Sequence, residues 1–131
     1  MNKDRYVHRG IVVSFSIHFD KLNEIVHVVY SGIVSLNERM QAVQDVCDSY
    51  CSFKPLKILV NVRNLEMHLS FDEQQSFSRY LASHEGLTNA RVAVLHQAGH
   101  NPNMIVDSTA FVNGYLLAQF NDTKEAESWL G

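Results

Sequence analysis

Apolar and polar positions alternate from Val13 to Phe19, with Val13, Phe15, Ile17 and Phe19 on one side and Ser14, Ser16 and His18 on the other. A period of two marks a strand with one wet face. Turn-forming residues occupy 20–23 and the β-rich run Ile25 to Tyr30 comes next, so the two strands are predicted to form an antiparallel hairpin ending at Gly32. The period then changes. Ser35 and Glu38 have capping-box spacing, in which the hydroxyl takes an orphan amide of the first turn and the carboxylate reaches back. Leu36, Met40, Val43, Cys47, Tyr50 and Cys51 recur at intervals of three and four, predicting a helix to about Phe53, where Lys54-Pro55 stops it.

The stretch from Leu56 to Ser70 is the centre of the pattern. Its first half has no polar face, which is how a strand buried on both sides reads. Asn61, Arg63 and Asn64 are predicted to mark where this strand leaves the core. A second capping box, Ser70 with Glu73, opens a helix whose Phe77, Tyr80 and Leu81 face inward and which ends near His84-Glu85-Gly86. Ala90 to Leu95 reads as another buried strand. Asn101-Pro102 reads as an N-cap with proline at the first helical position, starting a third helix that runs to about Gly114 or Leu116 with Ile105, Val112 and Tyr115 inward. Leu117 to Phe120 fits a last strand, and Asp122 with Glu125 caps a final helix burying Ala126, Trp129 and Leu130, with Phe120 and Trp129 as core anchors.

The order is ββαβαβαβα, an α/β fold with a mostly parallel sheet and an antiparallel N-terminal hairpin. The 131 residues fit one domain, with residues 1–10 as a tail lacking any clear period. Apolar residues make up 46% and charged residues 19%, the balance of an ordinary folded protein. A net charge of −3 without a basic block argues against nucleic acid, and no stretch is long and apolar enough to span a bilayer or serve as a leader, so a cytoplasmic location is expected. Cys47 and Cys51, four apart on one helix face, read as reduced core thiols.

Candidate chemistry clusters at the strand ends, where open α/β sheets usually meet ligands and partners. Asn61, Arg63, Asn64 and Ser70 combine a forked cationic donor with a helix start, which suits an anion or a partner's acidic group. His68, His96 and His100 lie at neighbouring strand ends, but no Cys or carboxylate completes a ligand spacing, so no metal site is expected there. His18 and His27 read as polar-face residues of the hairpin. With no nucleophile elbow and no phosphate-cradling glycine loop, neither catalysis nor a cofactor is expected.

The chain resembles the SpoIIAA-like family within the STAS and Sec14-like domains. The resemblance rests on the hairpin, Ser31-Gly-Ile-Val-Ser35, Lys57-Ile-Leu-Val-Asn-Val-Arg63, Ala90-Arg-Val-Ala-Val-Leu95 and the ending from Phe120 to Leu130, and covers nearly the whole chain. It implies an anti-sigma-factor-antagonist-like docking domain, in which a serine after an aspartate-ended central strand is phosphorylated. Here the strand is read as ending at Asn61 and residues 62–69 contain no Ser or Thr, so that switch does not carry over. The sequence therefore reads as a non-enzymatic regulatory domain docking a protein through residues 61–70 and 96–101, including His68. The Sec14 side of the resemblance implies an alternative, a small apolar or lipid-like ligand in a groove lined by Met104, Ile105, Phe111 and Val112. A homodimer through the N-terminal hairpin or a helix face is also expected, because the edge of an alternating strand must be covered.

Overall fold

In the computed structural model, which describes residues 14–131, five strands form one sheet in sequential order. The strands are β1 (Phe15–Asp20), β2 (Ile25–Ile33), β3 (Lys57–Glu66), β4 (Arg91–Leu95) and β5 (Leu117–Phe120). The helices are α1 (Leu36–Tyr50), α2 (Phe71–Ser83), α3 (Met104–Val112) and α4 (Thr123–Leu130), with a single 3-10 turn at Glu85–Leu87. β1 and β2 are antiparallel and the other pairs parallel, as the order of elements predicts. The expected tail, residues 1–10, and Val13 lie outside the described residues.

Right-handed crossovers that all step the same way along a sheet leave their helices on one face. The main core accordingly joins Val28, Ile58, Val92 and Val94 of the sheet to Val43 and Val46 of α1, Phe77 of α2 and Val106 of α3. A smaller core on the opposite face joins Ile25, Leu59, Ala93 and Leu95 to Ala126 and Leu130 of α4. Both capping boxes are present as read, at Ser35 with Glu38 and Ser70 with Glu73.

Several details differ from the pattern. Ser14 is buried rather than on a wet face, because its hydroxyl donates to Glu38 Oε2 at 2.7 Å. Gly32 does not end β2; with φ +66 it is accommodated within the strand, which runs on to Ile33. α3 begins at Met104, not after Pro102, since Asn101 Oδ1 accepts from the Asn103 amide at 2.8 Å and shapes a turn before the helix. Its inward residues are Val106, Asp107 and Ala110; Ile105 (40% exposed) and Val112 (82%) face outward, while Tyr115 is buried as expected. Cys51 is exposed at the C-cap of α1, and only Cys47 is in the core. Trp129 and Phe120 are half-buried and pack against the smaller core.

Candidate functional site

The expected end of the central strand is a bulge. Val29 pairs with Asn61 and Ser31 with Asn64, so Val62 and Arg63 together oppose Tyr30. One extra residue on a strand flips the side-chain alternation and re-aims the residues beyond it. Val62 is fully buried, Arg63 and Asn64 point out, and Leu65 returns to the core. The strand therefore does not leave the core at Asn61. Instead Asn61 Oδ1 takes the amide of Arg63 at 3.0 Å and its Nε at 3.2 Å, satisfying a backbone group that the bulge displaces from the ladder and fixing the guanidinium's stem.

β4 pairs with β3 only as far as Leu95 opposite Asn61, so β2 and β3 project beyond it. On that side Gln97 Nε2 donates to the Arg63 carbonyl at 2.7 Å, and Gln97 forms an isolated bridge with His100. This bond joins the two segments, 61–70 and 96–101, that the sequence singled out separately. The surface they form is mixed: Arg63, Asn64, Glu66 and His68 are exposed, and so are Phe71 (62%) and Ile33 (56%), the latter paired with Glu66. His68 Nε2 lies 3.8 Å from Glu66 Oε2, an exposed pair of little energetic weight. Among the described residues, His68, His96 and His100 form no metal-sized cluster.

Ser70 stands at the edge of this surface but is engaged: its hydroxyl accepts from the Glu73 amide at 3.1 Å, and its own amide donates to Glu73 Oε1 at 2.9 Å. Asp72 and Glu73 occupy the first turn of α2. Their charge already complements the helix dipole and repels an added anion. The start of α2 is therefore a poor place for a free anion.

Beneath the surface lies a polar network that the apolar pattern did not reveal. Arg39 of α1 is fully buried; its Nε donates to the Val34 carbonyl at 3.3 Å and its Nη1 to Asn103 Oδ1 at 3.0 Å, while Nη2 lies 3.7 Å from Met67 Sδ. The guanidinium also sits 5.6 Å from the Tyr30 ring and 5.8 Å from that of Phe77. Asn103 Nδ2 donates to Asp107 Oδ1 at 2.9 Å, and Asp107 Oδ2 accepts from Asn101 at 3.0 Å and Gln119 at 3.1 Å. Asp107 is 3% exposed, and burial pushes its carboxyl above the usual 3.8 against the opposing pull of those hydrogen bonds. Burial lowers the Arg39 pKa, with Tyr30 and Asp107 opposing the shift. Met67 belongs to one surface segment and Asn101 to the other, so both rest on this network. The available signal was positional: Arg39 stands four before Val43 and seven before Val46, on the inward stripe.

An internal cavity of about 50 Å³ lies between the sheet and the helices, lined among others by Val28, Val43, Phe77 and Val94, with Tyr30, Tyr115, Asn103 and Asp107 at polar positions. Burial pushes the Tyr30 hydroxyl up to about 12 and raises that of Tyr115 as well. Such a volume holds a few waters, whereas benzene fills an apolar cavity of about 150 Å³. Of the residues expected to form a groove on α3, Phe111 and Val112 line a surface cleft with Leu117 and Gln119, whereas Met104 and Ile105 are exposed and do not line it.

Among the described residues, no helix is long and apolar enough to cross a membrane. The sequence matches no family model, and a search of curated proteins returns no match. Among solved structures, the chain is similar to an uncharacterized protein of the DUF3478 family with a SpoIIAA-like fold from Shewanella loihica PV-4. The two are 15% identical and superpose with a TM-score of 0.63 over 90% of this chain and 93% of the other. The fold is therefore SpoIIAA-like, as the sequence resemblance implies.

Proposed function

We propose that this chain is a non-enzymatic interaction domain that docks a protein partner on the projecting end of β3, through residues 61–70 and 96–101. The observation that carries the reading is the bulge at Val62–Arg63, which turns Arg63 outward and is tied by Asn61 and Gln97 to the neighbouring loop. Exposed Phe71 and Ile33 beside charged Arg63 and Glu66 give the mixture of apolar anchor and polar rim that protein interfaces use. The homodimer is part of the same proposal and is supported by the position of β1 at one side of the sheet. The small-ligand reading draws on the cavity and on the surface cleft beside Phe111 and Val112; the cavity's 50 Å³ would have to expand several-fold to take a lipid chain.

A native mass spectrum of protein purified from its own host, beside capture of partners from that host's lysate, separates the two readings. A specific protein retained by wild type and released by Arg63→Glu supports docking. A small apolar molecule retained by both forms, with no protein captured, supports the ligand reading instead.

A further inference from the structure

The opposite face of the sheet carries a cluster that plays no part in this docking surface. α4 is the only described helix packed there, over Ile25, Leu59, Ala93 and Leu95. Towards β1 and β2 that face bears Ser16, His18, Asp20 and His27, and none of the four is buried in the core. Asp20 closes β1, His27 stands on β2, and Glu127 reaches across from α4; a donor atom from each lies within 4.8 Å of the others, and all three residues are half-buried.

We infer that Asp20, His27 and Glu127 form a binding site for a divalent first-row transition ion of the zinc type. The imidazole nitrogen is a borderline donor, and zinc takes it together with carboxylate oxygens, whereas magnesium prefers oxygen alone and retains its waters. Bonds of about 2.0 to 2.2 Å in a tetrahedral site place donor atoms about 3.4 Å apart, so separations up to 4.8 Å close through small side-chain rotations.

Three further observations support the site. His18 is the register partner of His27 and stacks on its ring at 4.7 Å with an 11° tilt, holding the imidazole plane. Asp20 is oriented before any ion arrives: Oδ1 accepts from the amides of Leu22 at 3.0 Å and Asn23 at 3.2 Å, and Oδ2 from Asn23 Nδ2 at 2.9 Å. Such outer bonds orient ligating carboxylates in known metal sites. The Glu127 carboxylate and the His27 ring make no hydrogen bond to any described residue, so binding an ion breaks none among the described residues. The ammonium of Lys57 is engaged by backbone, donating to the carbonyls of Asn23 at 2.9 Å and Gly131 at 3.0 Å. An ion here would link the hairpin to α4 and leave coordination positions open on the uncovered face.

The test is titration of chelator-treated full chain with Zn²⁺ by calorimetry and with Co²⁺ by visible absorption, for wild type, His27→Gln and Glu127→Gln. One ion per chain is expected for wild type. Each variant should bind at least about tenfold more weakly, the loss typical when a ligand or its support is removed. Glu127 is half-buried but makes no hydrogen bond to a described residue, so Glu127→Gln should melt at the wild-type temperature without metal and its weaker binding reads the ligand rather than the fold. Absence of wild-type binding at millimolar zinc overturns the inference. So does an affinity unchanged in both variants, which would place any bound ion elsewhere on the chain.

Discussion

The buried guanidinium of Arg39 on α1 reaches the residue before α3, donating from Nη1 to Asn103 Oδ1 at 3.0 Å. Asn103 passes the interaction on to Asp107, so a cation and a carboxyl that do not touch are linked through one amide. Truncating one member of a buried charged network leaves the others without partners, a loss of about 3 to 5 kcal/mol. Arg39→Met should therefore lower the unfolding free energy by about that amount in a urea titration. A loss under about 1 kcal/mol would mean that the network does not hold α1 to α3.

The buried Asp107 carboxyl makes a signed prediction about pH. Its folded pKa is raised above 3.8, so the folded state binds the proton more tightly than the unfolded chain does. The stabilisation from this group is complete below the unfolded value and is lost as pH rises through the folded one. Melting curves should show the margin of wild type over Asp107→Asn shrinking as pH climbs from about 4 towards neutrality. A margin that widens instead would show that the three amide donors outweigh burial.

The two thiols should behave differently. Cys51 is exposed, whereas Cys47 is buried, lies 3.8 Å from His84 Nδ1 and is pushed up to about 11 by desolvation first of all. Thiolate is the reactive form, so an aromatic disulfide reagent at neutral pH should titrate one thiol per folded chain and two after denaturation. Rapid reaction of both in the folded protein would contradict the packing of α1.

Trp129 reports on α4. The Arg91 guanidinium stacks 4.3 Å from its ring, and Phe120 lies 5.8 Å away. As Trp129 is the only tryptophan, Arg91→Ala should change its fluorescence directly. Because the ring is only half-buried, Trp129→Ala should cost roughly 2 kcal/mol, below the 3 to 5 of a fully buried aromatic. An unchanged melting temperature in Trp129→Ala would show α4 to be undocked.

Much of this architecture is legible in the sequence because hairpin, capping boxes and helical stripes are local signals. α3 is the instructive failure. Met104, Ile105, Val106, Phe111 and Val112 leave it apolar on several sides, so its phase is unreadable until Asp107 is known to turn inward to three amide donors. The bulge was equally hidden. Asn61 and Arg63 are polar whether a strand ends or merely gains a residue, and only the pairing with β2 distinguishes the two. The surface segments 61–70 and 96–101 were legible separately as strand ends. The Gln97 bond that joins them spans 34 positions and has no local signature.

The most direct test of the docking reading is the affinity of Arg63→Glu for the partner captured by wild type, measured beside its melting curve. Arg63 is exposed and, among the described residues, its side chain bonds to Asn61 alone, so charge reversal should change stability by no more than about half a kcal/mol. At an interface, loss of a charged contact costs about 2 to 5 kcal/mol, a fall in affinity of roughly thirtyfold or more. The account predicts that fall with an unchanged melt; equal affinity for the partner in both forms would contradict it.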